Sequence, residues 1–176
     1  TRIQPWDWWY YSEKVRKAQY DLDENVTKPY FQLENVRDGV FKAAETLYGI
    51  SIEPVKGFPV YNPEVDVFKV KDADGSQLGI FMTDYLPRST KRGGAWMTNF
   101  REQYVDASGK DVRPIIINVC NFGQPEDTVK LLTIDEVQTA FHEFGHALHG
   151  LLTKCRYVDV SGTNVARDFV ETFSQF

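Results

Sequence analysis

Thr133-Ile134-Asp135-Glu136 opens the best-defined element of this sequence. A Thr hydroxyl at such a position accepts from a first-turn backbone N–H, and a Glu three residues on reaches back to the cap, so the helix start is closed from both sides. Behind it, Val137, Ala140, Phe141, Phe144, Ala147, Leu148 and Leu151 recur at helical spacing. The element is a long amphipathic helix whose apolar side the rest of the chain has to cover.

The preceding residues divide into two textures. Asp7 is placed to cap a helix over about 8–22, where Glu13, Lys14, Arg16 and Lys17 interleave with Val15, Ala18 and Leu22 as in a half-buried helix. Lys28-Pro29-Tyr30 breaks it. A second helix is expected from about Leu33 to Tyr48, with Val36, Val40, Phe41, Ala44 and Leu47 on one side and Gly49 at its C-terminal end. Val65 to Lys71 then roughly alternates, Asp72-Ala73-Asp74-Gly75 signals a turn, and Leu78 to Met82 completes a hairpin. Ala95–Tyr104 and Ile115–Val119 are further strands, the first preceded by the basic turn Arg88 to Gly94. Residues 165–171, running on to 176, read as a last helix. The fold class is therefore α+β, one domain of helices flanking a small β-sheet: 1–49 helical, 50–122 the sheet region, 133–176 helical again.

Composition narrows the function. With 25 acidic and 20 basic residues the net charge is −5, which gives no footprint for nucleic acid or an anionic membrane surface. No apolar run approaches the ~20 residues of a membrane span. The high aromatic share, 14%, predicts several rings in the core. The N-terminal residues do not form a signal peptide and include no initiator Met, and both ends read as cut, so a piece of a longer chain is expected. Cys120 and Cys155 are isolated and read as free thiols. A cytoplasmic location is the expectation, with the periplasm as the alternative.

All three histidines lie on the long helix, at 142, 146 and 149. Positions i and i+4 differ by about 40° in azimuth and about 6 Å in height, so two imidazoles there can converge on one Zn²⁺. Glu143, on the flank, is placed to take a proton from a water at the metal and deliver it to a leaving amine. His149 points almost the same way as His142 but stands roughly 10 Å along the axis, too far to share an ion, and is expected to pack beside the site. His-Glu-x-x-His is short enough to arise by chance; helical context, the acidic residue at the catalytic offset and the absence of other histidines favour a metal site.

A catalytic zinc takes three protein ligands. The extended pattern H-E-x-x-H-x-x-G-x-x-H is excluded, because its Gly and third His positions hold His149 and Leu152. A later carboxylate remains: Asp159, in a loop-like stretch, or Asp168 or Glu171, which would share a face if 165–171 is helical. Residue physics leaves the choice among them open.

His142-Glu143-Phe144-Gly145-His146-Ala147-Leu148-His149, then Ser161-Gly162-Thr163 and Arg167-Asp168-Phe169-Val170-Glu171, resemble the M3 peptidases, the group of thimet oligopeptidase, neurolysin, oligopeptidase A and peptidyl-dipeptidase. Ile3 to Trp8, Tyr30 to Leu33, Gly93 to Met97 and Asn118 to Asn121 are most similar to the bacterial peptidyl-dipeptidase branch, and the likeness covers essentially the whole chain. It implies a mainly helical, zincin-like metallopeptidase, with one Zn²⁺ on His142, His146 and Glu171, Glu143 as general base and Asp168 as a supporting residue. It also implies that the strand entered through Gly94, Ala95 and Trp96 borders the substrate channel, where an edge strand can pair with an extended peptide. The implied partners are short peptides, cut to release C-terminal dipeptides; an internal-cutting oligopeptidase or a non-catalytic zinc-binding piece are the alternatives. The cation for a free substrate carboxylate stays open among Arg88, Lys91 and Arg92.

Two features depart from the family. Its usual proline two residues after Glu171 is replaced by Phe173. Family members are also several times longer, and their remaining residues complete the channel and supply a downstream tyrosine that stabilises the oxyanion. Loss of such a donor typically costs ~10²–10³ in rate. A chain of this extent is therefore expected to bind zinc but to be feebly active or inactive.

Overall fold

The computed structural model describes residues 2–20, 24–123 and 129–175. A 3₁₀ turn (Pro5–Asp7) leads into α1 (Trp8–Tyr20); a short α2 (Glu24–Thr27) and a second 3₁₀ turn (Lys28–Tyr30) precede α3 (Leu33–Tyr48). Strands β1 (Ser51–Pro54), β2 (Asp66–Lys71), β3 (Gln77–Asp84), β4 (Trp96–Arg101), β5 (Tyr104–Val105), β6 (Asp111–Val112) and β7 (Ile115–Val119) follow, then α4 (Ile134–Leu152). Beyond α4 the described residues form only 3₁₀ turns, Val158–Val160 and Val170–Thr172, and irregular chain.

The main sheet has the order β1-β2-β3-β7-β4. Only the β3–β7 pair is parallel, so the sheet is mixed. The chain leaves β3, forms β4 and the small β5–β6 ribbon, and returns as β7 between β3 and β4. Sequence explains the placement. Leu78-Gly79-Ile80-Phe81-Met82 and Ile115-Ile116-Ile117 are apolar on successive residues, as strands covered on both faces must be. Trp96–Arg101 exposes Thr98, Phe100 and Arg101 and lies at the edge.

Side chains alternate between two apolar layers. Phe68, Val70, Phe81 and Ile116 face α3 and α4 and pack with Val40, Phe41, Ala44, Phe144, Ala147 and Leu151. Phe41 meets Phe68 edge-on at 4.9 Å and Phe81 meets Phe144 edge-on at 5.2 Å. Each of these rings contributes about 1.5–3 kcal/mol by burial. Val65, Val67, Ile80, Met82, Ile117 and Val119 form the opposite layer.

The second helix, the hairpin and the long helix match the sequence expectations; Gly49 caps α3 with a φ of 68°. Four features differ. No residue of α1 is buried: Trp8, Trp9, Tyr10 and Val15 are exposed, and the helix is not half-buried. Its expected end at Leu22 lies outside the described residues. Asp7 closes the preceding turn, accepting from the Gln4 N–H at 3.0 Å, rather than capping α1. Leu47 is exposed at the margin of the groove between α3 and α4. The expected last helix is replaced by the turn at Val170–Thr172, built on Phe169 N–H to Ala166 O and Thr172 N–H to Phe169 O bonds. Val165, Phe169, Val170, Thr172 and Phe173 are β-branched or aromatic and restrict a helix of that length.

Candidate metal centre

α4 is fixed at both ends. Thr133 Oγ1 accepts from Glu136 N–H at 3.2 Å, and Glu136 Oε2 accepts from Thr133 N–H at 2.8 Å. At the far end the Arg113 guanidinium donates to the Leu151 carbonyl at 2.5 Å and the Thr153 carbonyl at 3.2 Å, closing carbonyls that the last turn leaves open and countering the helix dipole. Between these anchors, His142 and His146 project from one face, their rings perpendicular and 4.9 Å apart.

Glu171 completes a triangle with them. Its Oε2 lies 3.2 Å from His142 Nε2 and 3.2 Å from His146 Nε2. Two bonds of about 2.1 Å at a tetrahedral angle place ligand atoms about 3.4 Å apart, so two imidazole nitrogens and this carboxylate oxygen fit the edges of a zinc-sized tetrahedron. They are the group of ligand-capable side chains that comes together among the described residues. Burial lowers the His146 pKa, against the pull of Glu171, which favours the neutral ring that can offer a lone pair. The hydrogen bond from Ser174 Oγ, 2.7 Å from Glu171 Oε2, holds the Glu171 carboxyl below its ordinary range.

Gly145 explains how Glu171 comes so close. A Cβ at that position would stand 2.4 Å from the Phe173 carbonyl oxygen and 2.6 Å from Ser174 Cα. The segment bearing Glu171 therefore crosses α4 where the helix has no side chain. Gly150, one turn and more along, instead leaves room for Ile116 of β7 and Met97 of β4, while Gly162, with a φ of 55°, lies against the Gly150 Cα. Gln103, fully buried, ties down the loop between them. Its Nε2 donates to the Cys155 carbonyl at 2.9 Å, and its Oε1 accepts from Cys155 N–H at 2.8 Å and Ser161 Oγ at 3.3 Å.

Glu143 is only 7% exposed and lines a cleft of about 480 Å³ with His142, His146, Thr163, Val170, Glu171 and the backbone entry of β4, Ala95, Trp96 and Met97. Burial raises its carboxyl above the ordinary range; Glu171 adds to this, while His142 and the Met97 backbone oppose it. The flank of β4 away from β7 pairs with no strand among the described residues, so a strand edge without a β partner borders this cleft.

The model of peptidase family M3 matches residues 1–176. The chain belongs to peptidase family M3. It is 48% identical over 175 residues to a dipeptidyl carboxypeptidase of Salmonella typhimurium, covering 98% of this chain and 25% of that protein. The dipeptidyl carboxypeptidase of Escherichia coli is 48% identical over 174 residues, with 98% and 25% covered, and the oligopeptidase A of Escherichia coli 39% over 176, with 99% and 26% covered. The chain thus spans about a quarter of the length of these curated relatives.

Within this M3 chain the other sequence candidates sort as follows. Asp159 and Asp168 are exposed, and Asp168 makes no hydrogen bond or ion pair among the described residues. With the turn replacing the helix, it also loses the face it was expected to share with Glu171. His149 packs on Phe173, ring centres 4.4 Å apart, and stays outside the triangle. Ala95 and Trp96 line the cleft; Gly94 lies just outside it, in the turn, with a φ of 96°. Cys120 and Cys155 are both free thiols. No helix among the described residues is long and apolar enough to cross a membrane. Sequence reasoning missed Arg113, Gln103, Ser174 and the role of Gly145. Only Gly145 carried a signal, a glycine inside a strongly helical pattern.

Proposed function

We propose that this chain carries the zinc site and the general base of a peptidase acting on short oligopeptides, with the zincin-like arrangement that the His-Glu-x-x-His helix implies. The observation that carries the reading is the convergence of His142 Nε2 and His146 Nε2 on Glu171 Oε2, each at 3.2 Å, with buried Glu143 in the same cleft. Two imidazoles and one carboxylate, open on the side of the cleft, match a catalytic rather than a closed four-ligand structural zinc. Bound there, Zn²⁺ supplies Lewis-acid polarisation of the scissile carbonyl and a lowered pKa for the attacking water.

The remaining steps belong to the chain. The open edge of β4 at Ala95–Met97 takes the peptide in extended form by main-chain hydrogen bonds and holds the scissile bond over the cleft. Glu143 accepts the proton of the attacking water and returns it to the leaving amine. Ser174, bonded to Glu171, keeps that carboxylate turned toward the two histidines. Release of C-terminal dipeptides is the favoured outcome, supported by the names of the two relatives at 48% identity. The 39% likeness to oligopeptidase A supports internal cleavage as the second reading. We place the chain within a longer, cytoplasmic peptidase whose other residues complete the channel and the oxyanion site.

Zinc content measured with and without Glu171→Ala tests the site. The parent retains one ion per chain and the variant loses it; equal retention refutes the ligand set. Product analysis on one decapeptide separates dipeptide release from internal cutting.

A further inference from the structure

Three cations stand on the turn leading into β4, and the fold commits two of them. Arg88 donates to both Asp84 carboxylate oxygens, at 2.7 and 2.8 Å. Lys91, its side chain 3% exposed, donates to Asp84 Oδ1 at 3.1 Å and to the Asp84 and Leu86 carbonyls at 2.7 and 2.9 Å. Arg92 is different. Its guanidinium lies over the Trp96 ring, 5.2 Å from the ring centre, and makes no hydrogen bond or ion pair among the described residues. Its backbone is nonetheless held in place, because Asn121 Nδ2 donates to the Arg92 carbonyl at 3.1 Å and the Gly94 carbonyl at 2.8 Å. A guanidinium placed in advance on an aromatic face, with its N–H fork unspent, is a receptor for a carboxylate.

Strand alternation indicates which part of a peptide reaches it. Met97 packs with the layer that faces α4, whereas Trp96 packs with the opposite layer of Ile117 and Val119. An extended peptide added to the free edge of β4 alternates in the same way. Its side chains on one side turn toward α4 and the histidines; the intervening ones turn toward Trp96 and Arg92. We propose that the Arg92–Trp96 pair is a specificity site for a carboxylate of the peptide substrate, lying on the face of β4 away from the metal centre. Trp96 offers an apolar wall to the aliphatic stem and Arg92 forks the charged end. The carboxylate is an acidic side chain or the peptide's own C terminus. The inference rests on the peptidase reading above.

The test uses the longer, zinc-loaded polypeptide and three sets of matched peptides: a neutral amidated sequence, the same sequence with Glu replacing Gln at successive positions, and the neutral sequence with a free C terminus. Arg92→Ala is expected to lower the acid-to-neutral ratio of kcat/KM about tenfold, with Arg92→Lys restoring part of it and zinc content unchanged. Loss confined to one Glu position assigns a side chain; loss confined to the free C terminus assigns the terminal carboxylate. An unchanged ratio in both acidic sets overturns the proposal. Dissociation constants for the same peptides, measured in a Glu143→Gln background with and without Arg92→Ala, read recognition without turnover. If the parent cleaves no peptide, the activity reading fails, and the Arg92 site then stands or falls on the binding ratio alone.

Discussion

Gly145→Ala separates the metal centre from the helix that carries it. The added Cβ would stand 2.4 Å from the Phe173 carbonyl oxygen and 2.6 Å from Ser174 Cα, both backbone atoms without a rotamer to escape into. Ordinary contact requires about 3.5 Å, so the 173–174 backbone has to retreat by about 1 Å. Glu171 moves with it, because Ser174 Oγ bonds both its carbonyl and its carboxylate, at 3.1 and 2.7 Å. The 3.2 Å separations between Glu171 Oε2 and the two imidazoles then open to about 4 Å, beyond the ~0.2 Å tolerance of a metal site. Losing an outer-shell partner typically costs 10–100-fold in metal affinity, and displacing a ligand outright places the loss at about 100-fold or more. The helix itself gains, since Ala is more favourable than Gly by about 1 kcal/mol in a helix interior. Chelator competition gives the zinc affinity and circular dichroism the helix content. Zinc bound within about threefold of the parent, with helix content intact, refutes the argument that Gly145 sets the position of Glu171.

Ser174→Ala removes the hydroxyl that donates to Glu171 Oε2, and a 10–100-fold fall in zinc affinity by the same competition assay is expected, with no change in folding midpoint beyond about 0.5 kcal/mol. The Asp84 cluster makes an acid-sensitive contribution to stability. Burial alone would raise this carboxyl, but hydrogen bonds from Arg88, Tyr61 and Lys91 outweigh it and hold it at about 2. A depressed folded-state pKa stabilises above the unfolded value near 4, so this contribution, on the order of 2 kcal/mol, is complete above about pH 4 and lost as pH falls through about 2. Asp84→Asn abolishes that limb and leaves Arg88 and Lys91 unpaired, destabilising the fold by about 3–5 kcal/mol in urea melts at neutral pH.

What could be read in advance follows the range of the interactions. Thr133 and Glu136 cap a helix by contacts three residues apart, so the start of α4 was legible, as were α3 with Gly49 behind it and the hairpin around Asp72–Gly75. The parallel pairing of β3 with β7 was not, because nothing local in either apolar run says which neighbour it takes. β1 was invisible for a related reason: four residues ending in Pro54 carry too little pattern until β2 is there to pair with them. α1 misled because charge interleaved with apolar residues signals a face, not a partner for it.

The metal centre divides along the same line. His142 and His146 share a face because one helix turn places them there, and the i, i+4 spacing states this directly. The carboxylate is a tertiary matter. Counting charges left Asp159, Asp168 and Glu171 open, and treating 165–171 as a helix made Asp168 and Glu171 near-equivalents. The turn at Val170–Thr172 breaks that equivalence by sending Glu171 back across α4 at Gly145 while Asp168 stays in solvent. The same logic sorts the cations. Arg88, Lys91 and Arg92 are indistinguishable along the chain, yet Asp84, at the end of β3 and buried, draws in the first two. A buried carboxylate with no cation would be far more costly than a solvated arginine, so the core takes the pair nearest its end and leaves Arg92 on Trp96, on the face of β4 away from the metal centre.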